Sequence, residues 1–137
     1  MHEMQIVWKD GYELEACDAF GHTVRMDLAE EAGGADAGFR PMHLILTALG
    51  GCMGVDVRLI LAKKKLPLRS LEVRVTGQLT DTVPRTYAQI ETVITAEADG
   101  LTQEQLDEAI RLAEEKYCNV SAILRSSATL VAKGIVK

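Results

Sequence analysis

Residues 41–56 read PMHLILTALGGCMGVD, which is nearly uncharged up to Asp56. Nearly every position in Leu44–Val55 is apolar, so a helix here has no clear polar face and should be buried on nearly all sides. Pro41 suits the first turn of a helix, and Pro67 cannot continue one. The pattern therefore predicts one long helix over Met42–Lys65, with its glycines as weak points.

The length of the chain limits how much of that helix can be covered. A chain of 137 residues and 15.0 kDa has the usual size of one domain with one hydrophobic core, and we predict a single domain over residues 1–137. One such domain can hardly surround a long apolar helix by itself. A second copy of the chain is the simplest cover, so we predict a homodimer.

Charge and composition exclude two kinds of partner. The net charge of -5 and the pI near 5.2 repel phosphates, so we expect no nucleic-acid binding. The longest nearly uncharged stretch, residues 41–55, is shorter than the about 20 residues that span a bilayer, so we expect no membrane span. Residues 1–9 lack an apolar stretch behind a basic start, which indicates no signal peptide and predicts a cytoplasmic protein.

Two groups of strands flank the predicted helix. Alternating residues predict a meander of Gln5–Trp8, Tyr12–Ala16 and Thr23–Leu28, with a hairpin turn at Asp10-Gly11. The glycine-rich segment Glu30–Arg40 is expected to be a mobile loop rather than a regular element.

The second half of the chain adds further strands and a capped helix. Leu71–Gly77 and Tyr87–Ala96 alternate as two half-exposed strands. Thr102–Gln105 fits a capping box that begins a helix ending near Tyr117, and Ala128–Ala132 resembles a final strand. These elements therefore predict an α+β fold with antiparallel strands and one long buried helix.

The three cysteines are an odd number at wide spacings, which argues against a disulfide framework and for a chemical purpose. Cys52 lies among glycines that leave space around its sulfur, although a free cysteine is often only a small buried hydrophobe. Asp56 follows one turn later, where its charge would disfavour a thiolate, so a cationic partner would be required. A structural role for Asp56 is favoured over a catalytic one, and Cys17 is interpreted as structural.

Cys118 lies where one helix should end and a short one, Val120–Arg125, should begin. Backbone N–H groups exposed at such a helix start stabilise a thiolate, which favours a reactive cysteine. Packing at a helix junction is the alternative.

The histidines do not add to this site. His43 precedes Cys52 by nine residues, which on a regular helix is about half a turn of offset and about 13 Å of rise. His2, His22, His43 and the cysteines show no ligand-like spacing, so we expect neither a metal site nor a bound cofactor.

Three short motifs surround the two cysteines: Pro41–Leu44 (PMHL), Leu49–Cys52 (LGGC) and Glu115–Ser121 (EKYCNVS). Together, and in this order of elements, they resemble the cysteine motifs of the OsmC/Ohr family (osmotically inducible protein C and organic hydroperoxide resistance protein), particularly its OsmC-like branch. The resemblance implies an intertwined α+β homodimer, in which antiparallel sheets wrap around the long buried central helices, with a site at the subunit interface.

The resemblance also implies a catalytic role for two residues. Cys52 would be the peroxidatic cysteine, which an organic hydroperoxide oxidises to a sulfenic acid, and Cys118 would resolve it as a disulfide. A cellular dithiol would then restore both thiols.

Two positions depart from the family pattern. Peroxidases of the family have a glutamate after the motif proline, where this chain has Met42. They also have an arginine at the first hairpin, where the nearest counterpart here is Lys9. The other arginines considered for this role, each favoured as a surface charge, are Arg25, Arg40, Arg85 and Arg125. A non-enzymatic small-molecule binding or scaffold protein on the same fold is therefore the alternative function, and a different thiol reaction is a third.

Overall fold

The apolar stretch at residues 41–56 forms part of a single helix, α1 (Pro41–Lys63), in a computed structural model that describes residues 1–137. The predicted helix is thereby confirmed within two residues at its carboxyl end. Its glycines do not break it. Lys63 lies in its last turn, where a positive charge suits the helix dipole.

Burial along α1 shows how much of the helix one chain covers. Its large buried residues, Leu49, Met53, Val57 and Leu61, repeat every four positions and form one stripe. On other faces Val55 is 58% exposed and Leu59 is 48% exposed. A single chain thus leaves part of α1 uncovered, which agrees with the expectation that one domain can hardly surround this helix by itself.

α1 is also long and apolar enough to cross a membrane, by length and composition alone. The nearly uncharged stretch 41–55, on which the expectation of no membrane span rested, covers only part of this helix. Only 39% of its most apolar window is buried inside the chain. The core helix of a soluble protein can also be long and apolar enough to meet this criterion of length and composition.

Residues 1–45 make up the first of two compact units. Its sheet contains β1 (Met4–Asp10), β2 (Glu13–Asp18) and β3 (Thr23–Met26), in the order β1-β2-β3 with antiparallel pairing. Gly11 at the first turn has φ of 54°, a conformation that glycine adopts without strain. The predicted meander is confirmed.

The segment Glu30–Arg40 contains more structure than was expected. A short 3₁₀ helix covers Glu30–Ala32, and the carboxylate of Asp27, which is 2% exposed, accepts backbone N–H bonds from Leu28, Ala35 and Ala37. A buried carboxylate with several donors can order a segment rich in glycine. The prediction of a loop without a regular element was wrong for Glu30–Ala32.

Residues 46–137 make up the second unit, which contains the other sheet. Its strands are β4 (Leu68–Leu79), β5 (Tyr87–Ala98) and β6 (Thr129–Val136), in the order β4-β5-β6. β4 and β5 are antiparallel, whereas β5 and β6 are parallel. The α+β class is confirmed, but the expectation of purely antiparallel sheets was wrong, because helices carry the chain from β5 back to the start of β6.

Three helical segments form that connection: α2 (Gln103–Leu112), a π-helical turn (Ala113–Tyr117) and α3 (Asn119–Leu124). The capping box at Thr102 and Gln105 is present, as predicted. α2 packs on β6 so closely that a Cβ at Gly134 would lie 2.8 Å from Ile110 Cδ1.

α1 packs on β4 through two of its glycines. A Cβ at Gly50 would lie 3.0 Å from Val75 Cγ2, and one at Gly54 would lie 3.3 Å from Val73 Cγ2. These glycines therefore let the helix approach the sheet closely. Cys52 lies between them in sequence, and at about 100° per residue its side chain leaves α1 on roughly the opposite side.

Candidate functional site

Two residues that are far apart in the sequence, Cys52 and Cys118, meet in the second unit. The sulfur atoms of both cysteines and a carboxylate oxygen of Asp56 all lie within 4.8 Å of one another. The cysteines are free thiols. The structure thus brings together both cysteines singled out from the sequence, and it adds the aspartate.

The backbone around Cys118 is built to hold its sulfur in place. The Cys118 N–H donates to the carbonyl of Ala113 over 2.7 Å, which closes the π-helical turn. Cys118 then turns to extended backbone, with φ of -77° and ψ of 104°, and is the N-cap of α3. The predicted junction between two helices is confirmed. Single π-helical turns are frequent at functional sites, but their sequence signal is weak.

The first turn of α3 places backbone N–H groups beside both sulfurs. The N–H of Ser121 donates to Cys118 Sγ over 3.3 Å, and the backbone N–H of Val120 lowers the pKa of Cys52. Backbone donors at a helix start favour a negative sulfur. The sequence indicated this environment for Cys118 but not for Cys52, because only the packing of α1 against α3 brings Cys52 there.

Asp56, in contrast, disfavours a negative charge on the Cys52 sulfur. The Cys52 thiol donates to Asp56 Oδ2 over a long 3.9 Å, across one turn of α1. Burial raises the pKa of Cys52, and the hydrogen bond with Cys118 and the negative charges of Cys118 and Asp56 raise it further, while the Val120 N–H lowers it. The expectation that Asp56 would disfavour the thiolate is consistent with this direction.

Burial also raises the pKa of Asp56, and the hydrogen bond from Cys52 offsets part of that effect. Neither pKa is shifted by a lysine or an arginine of this chain. Three arginines considered as cationic partners are engaged elsewhere: Arg25 pairs with Glu13, Arg40 with Asp36, and Arg125 donates to the carbonyl of Glu114. Within one chain, the required cation is therefore not supplied.

A groove of about 270 Å³ adjoins the site on the side of Asp56. Its lining is mainly apolar and includes two lysines: Asp56, Leu59, Ile60, Lys63, Lys64, Leu112 and Tyr117. Lys64 pairs with Glu108 over 3.0 Å. The groove has room for a small organic molecule beside the cysteine pair.

Two residues that the sequence reasoning did not select support the site from behind. The hydroxyl of Ser121 donates to the sulfur of Met53 over 3.6 Å, and both side chains are buried. This contact links α1 to α3, and so holds the helices that carry Cys52 and Cys118. An apolar residue beside a motif cysteine gives no sequence signal for such a role.

The comparisons with known proteins agree with this geometry. Residues 33–133, about three quarters of the chain, match the family model described as OsmC-like protein. The chain belongs to the OsmC-like protein family. Protein YhfA of Escherichia coli strain K12 is 27% identical over 128 residues, which cover 93% of this chain and 92% of that protein.

Solved OsmC-like structures have the same fold. The crystal structure of a hypothetical protein from Aquifex aeolicus is 27% identical, with a TM-score of 0.86 over 100% of this chain and 96% of that one. An organic hydroperoxide resistance protein OsmC from Legionella pneumophila is 17% identical, with a TM-score of 0.73 over 99% and 97% of the two chains. A soluble OsmC-like fold therefore fits this chain, with α1 as its core helix.

Arg85 lies between β4 and β5 of the second unit, and the other remaining candidate residues of this OsmC-like chain lie in the first unit. Cys17 is on β2, where its thiol donates to the carbonyl of Asp18 over 3.3 Å. His43 is in the first turn of α1, and Met42 precedes it. Lys9 lies on β1 and pairs weakly with Glu15 over 3.9 Å.

Proposed function

We propose that this protein reduces organic hydroperoxides with Cys52 and Cys118 as a redox pair. The observation that carries the proposal is the distance between the two sulfurs, which is at most 4.8 Å. A disulfide has an S–S length of about 2.05 Å, and side-chain rotations of two nearby cysteines cover a difference of this size. The Legionella protein of the same fold is named for organic hydroperoxide resistance, which supports the same reaction class here.

The difference in exposure between the two cysteines supports their separate roles. Cys52 is half-buried, whereas Cys118 is 3% exposed. A peroxide must reach the thiol that it oxidises, whereas a resolving thiol only has to reach its neighbour. Cys52 is therefore assigned as the peroxidatic cysteine and Cys118 as the resolving one.

The reaction balances with a dithiol as reductant. The Cys52 thiolate attacks one peroxide oxygen, the O–O bond breaks, and the leaving alkoxide takes a proton to become an alcohol. The Cys118 thiol then attacks the sulfenic sulfur of Cys52, which forms the disulfide and releases water. A cellular dithiol reduces the disulfide by exchange and becomes oxidised itself.

The groove beside Asp56 fits the organic part of such a substrate. Leu59, Ile60 and Leu112 give it apolar walls, which favours peroxides with apolar groups over hydrogen peroxide. We further propose that the protein works in the cytoplasm as a homodimer. The exposed apolar residues Val55 and Leu59 on α1 support the dimer.

A second candidate function is non-enzymatic binding of a small molecule. The observation that favours it is the absence of a cation at Cys52, together with Met42 in place of the acid found in the family's peroxidases. Without these groups, we expect slower peroxide turnover than in family members that have them. The groove would then be the binding site itself.

A single-turnover experiment separates the two functions. The reduced protein receives one equivalent of an organic hydroperoxide, and peptide mapping by mass spectrometry identifies the products. We expect a Cys52–Cys118 disulfide in the native protein and a trapped Cys52 sulfenic acid in Cys118→Ser. Cys52→Ser should not consume peroxide.

Cys17→Ser is the matched control, because it removes a free cysteine of the first unit. It should form the disulfide as the native protein does. Both thiols still reduced after excess peroxide, in protein shown to be folded, would exclude the redox mechanism and leave the binding function.

A further inference from the structure

The cluster of Cys52, Asp56 and Cys118 combines two soft sulfur donors with one hard oxygen donor. These donors come from two elements: Cys52 and Asp56 from successive turns of α1, and Cys118 from the N-cap of α3. None of the three donors forms an ion pair with a basic residue. We propose that they form a binding site for a thiophilic divalent cation such as Zn²⁺.

The donor set suits zinc better than the hard cations. Zn²⁺ binds thiolates, imidazoles and carboxylates, usually with four ligands, whereas Mg²⁺ and Ca²⁺ prefer oxygen ligands only. Three protein ligands leave a fourth position for water or another small ligand, as in sites where zinc is catalytic. The sequence expectation of no metal site considered only histidines and cysteines, and therefore did not include Asp56.

The distances are close to those of a zinc site before any adjustment. With Zn–S of about 2.3 Å and Zn–O of about 2.1 Å at tetrahedral angles, donor atoms lie about 3.5 to 3.8 Å apart. The donors here lie within 4.8 Å of one another, and Cys52 Sγ is 3.9 Å from Asp56 Oδ2. Movements of about 1 Å or less would therefore complete the coordination.

The negative charge of the three donors also favours a divalent cation. When both thiols are deprotonated, the site holds two thiolates and a carboxylate, which repel one another in a partly buried place. The two N–H donors from Val120 and Ser121 compensate only a small part of this charge. A divalent cation at the centre of the three donors would compensate most of it, with the release of protons from the thiols.

Metal binding and disulfide formation exclude each other, a consequence that rests on the proposed function. A disulfide between Cys52 and Cys118 removes two of the three donors, so peroxide should release the cation. Conversely, a bound cation holds both sulfurs and should slow the reaction with peroxide. The cation would thus protect the thiols until it is removed.

The experiment uses the reduced full-length protein after treatment with a chelator. Competition for Zn²⁺ with a chromophoric chelator gives stoichiometry and affinity, and Co²⁺ as a spectroscopic probe reports thiolate ligands by a charge-transfer band. We expect about one Zn²⁺ per chain. Cys52→Ser and Cys118→Ser should each weaken binding by about 100-fold or more, and Asp56→Asn by about 10-fold, since even indirect ligand contacts are worth 10- to 100-fold.

Two matched controls keep the test specific. Cys17→Ser removes the third cysteine, and Asp107→Asn removes an exposed carboxylate of α2. Both should bind Zn²⁺ as the native protein does, and circular dichroism should show that all five variants are folded. The Co²⁺ charge-transfer band should be lost or shifted in the variants at positions 52 and 118 only.

The outcomes separate this proposal from the proposed function. Failure of the folded native protein to bind Zn²⁺ stoichiometrically, or equal loss in Cys17→Ser and Cys52→Ser, would overturn the metal site even if peroxide forms the disulfide. Zinc binding that depends on the three donors, in a protein that peroxide leaves reduced, would support the metal site and contradict the peroxidase.

Discussion

The two sheets of this protein have the same number of strands but very different burial. Every residue of β1 is exposed, including Ile6 and Trp8, which are 52% and 64% exposed. In β5 the side chains of Ile90 and Ile94 are completely buried. Both strands alternate in sequence, so alternation shows that a strand has an apolar face but not that the same chain covers it.

The polar groups of the two units differ as well. In the first unit, the buried carboxylate of Asp27 organises the segment after β3 through three backbone N–H bonds. In the second unit, the buried large side chains are mainly aliphatic. We infer that the second unit is stabilised mainly by its own core, whereas the first unit depends on polar bonds and, in the proposed homodimer, on the partner chain.

The largest expected effect is a loss of stability after a substitution in the core of the second unit. Ile94→Ala removes a fully buried side chain from β5 and should lower the free energy of unfolding by about 2–5 kcal/mol, because the sheet cannot fill the cavity. Urea denaturation monitored by circular dichroism measures this change.

Val83→Ala is the control for Ile94→Ala, because its side chain is 98% exposed in the turn between β4 and β5. Its effect should stay within about 0.5 kcal/mol. Equal effects of the two substitutions would show that the second unit does not have the core described for it.

The next largest expected effect is on dimerisation, and it tests whether a second copy of the chain covers the first sheet. Trp8, the chain's only tryptophan, is held on the hairpin by a 2.8 Å bond from its Nε1 to the carbonyl of Gly11. If β1 packs on a partner, Trp8→Ala should weaken dimerisation by about 2 kcal/mol, or roughly 30-fold. Sedimentation over a concentration series measures the dissociation constant.

Fluorescence of the native protein provides a direct check of the same point. Emission from Trp8 should be quenched less by acrylamide in the folded protein than in urea. A compact folded monomer near 15 kDa, with Trp8 freely quenched, would contradict the homodimer and leave the first sheet without a partner.

The smallest expected effect is that of acidic pH on the stability of the first unit. Burial alone raises the pKa of Asp27, but backbone N–H bonds from Ala37, Leu28 and Ala35, with help from Arg40, outweigh it and hold this pKa below its ordinary value. The stabilisation is therefore complete above the pKa of the unfolded chain, and it is lost as the pH falls through the lower folded pKa.

Asp27→Asn should therefore lower the thermal midpoint at neutral pH and reduce the loss of stability between neutral and acidic pH. Calorimetry across that range measures both changes. Glu31→Gln, an exposed carboxyl of the same segment, should leave the profile unchanged. A profile of Asp27→Asn that is parallel to that of the native protein would show that Asp27 does not stabilise the first unit.

Local patterns were sufficient for most elements of the fold. The helix from Pro41, the hairpin at Gly11 and the capping box at Thr102 depend on neighbouring residues, and the sequence predicted all three. The two cysteine motifs also predicted membership of the family. The parallel pairing of β6 was missed, although helices between two strands are a recognised signal for it.

The class of the fold, the family and the two cysteines could be predicted from the sequence, because they depend on residue types at short spacing. The close approach of Cys52, Asp56 and Cys118, within 4.8 Å of one another, could not. Nor could the position of the first-turn N–H groups of α3 beside both sulfurs. These contacts join α1 to α3, and their geometry depends on how both helices pack rather than on any local pattern.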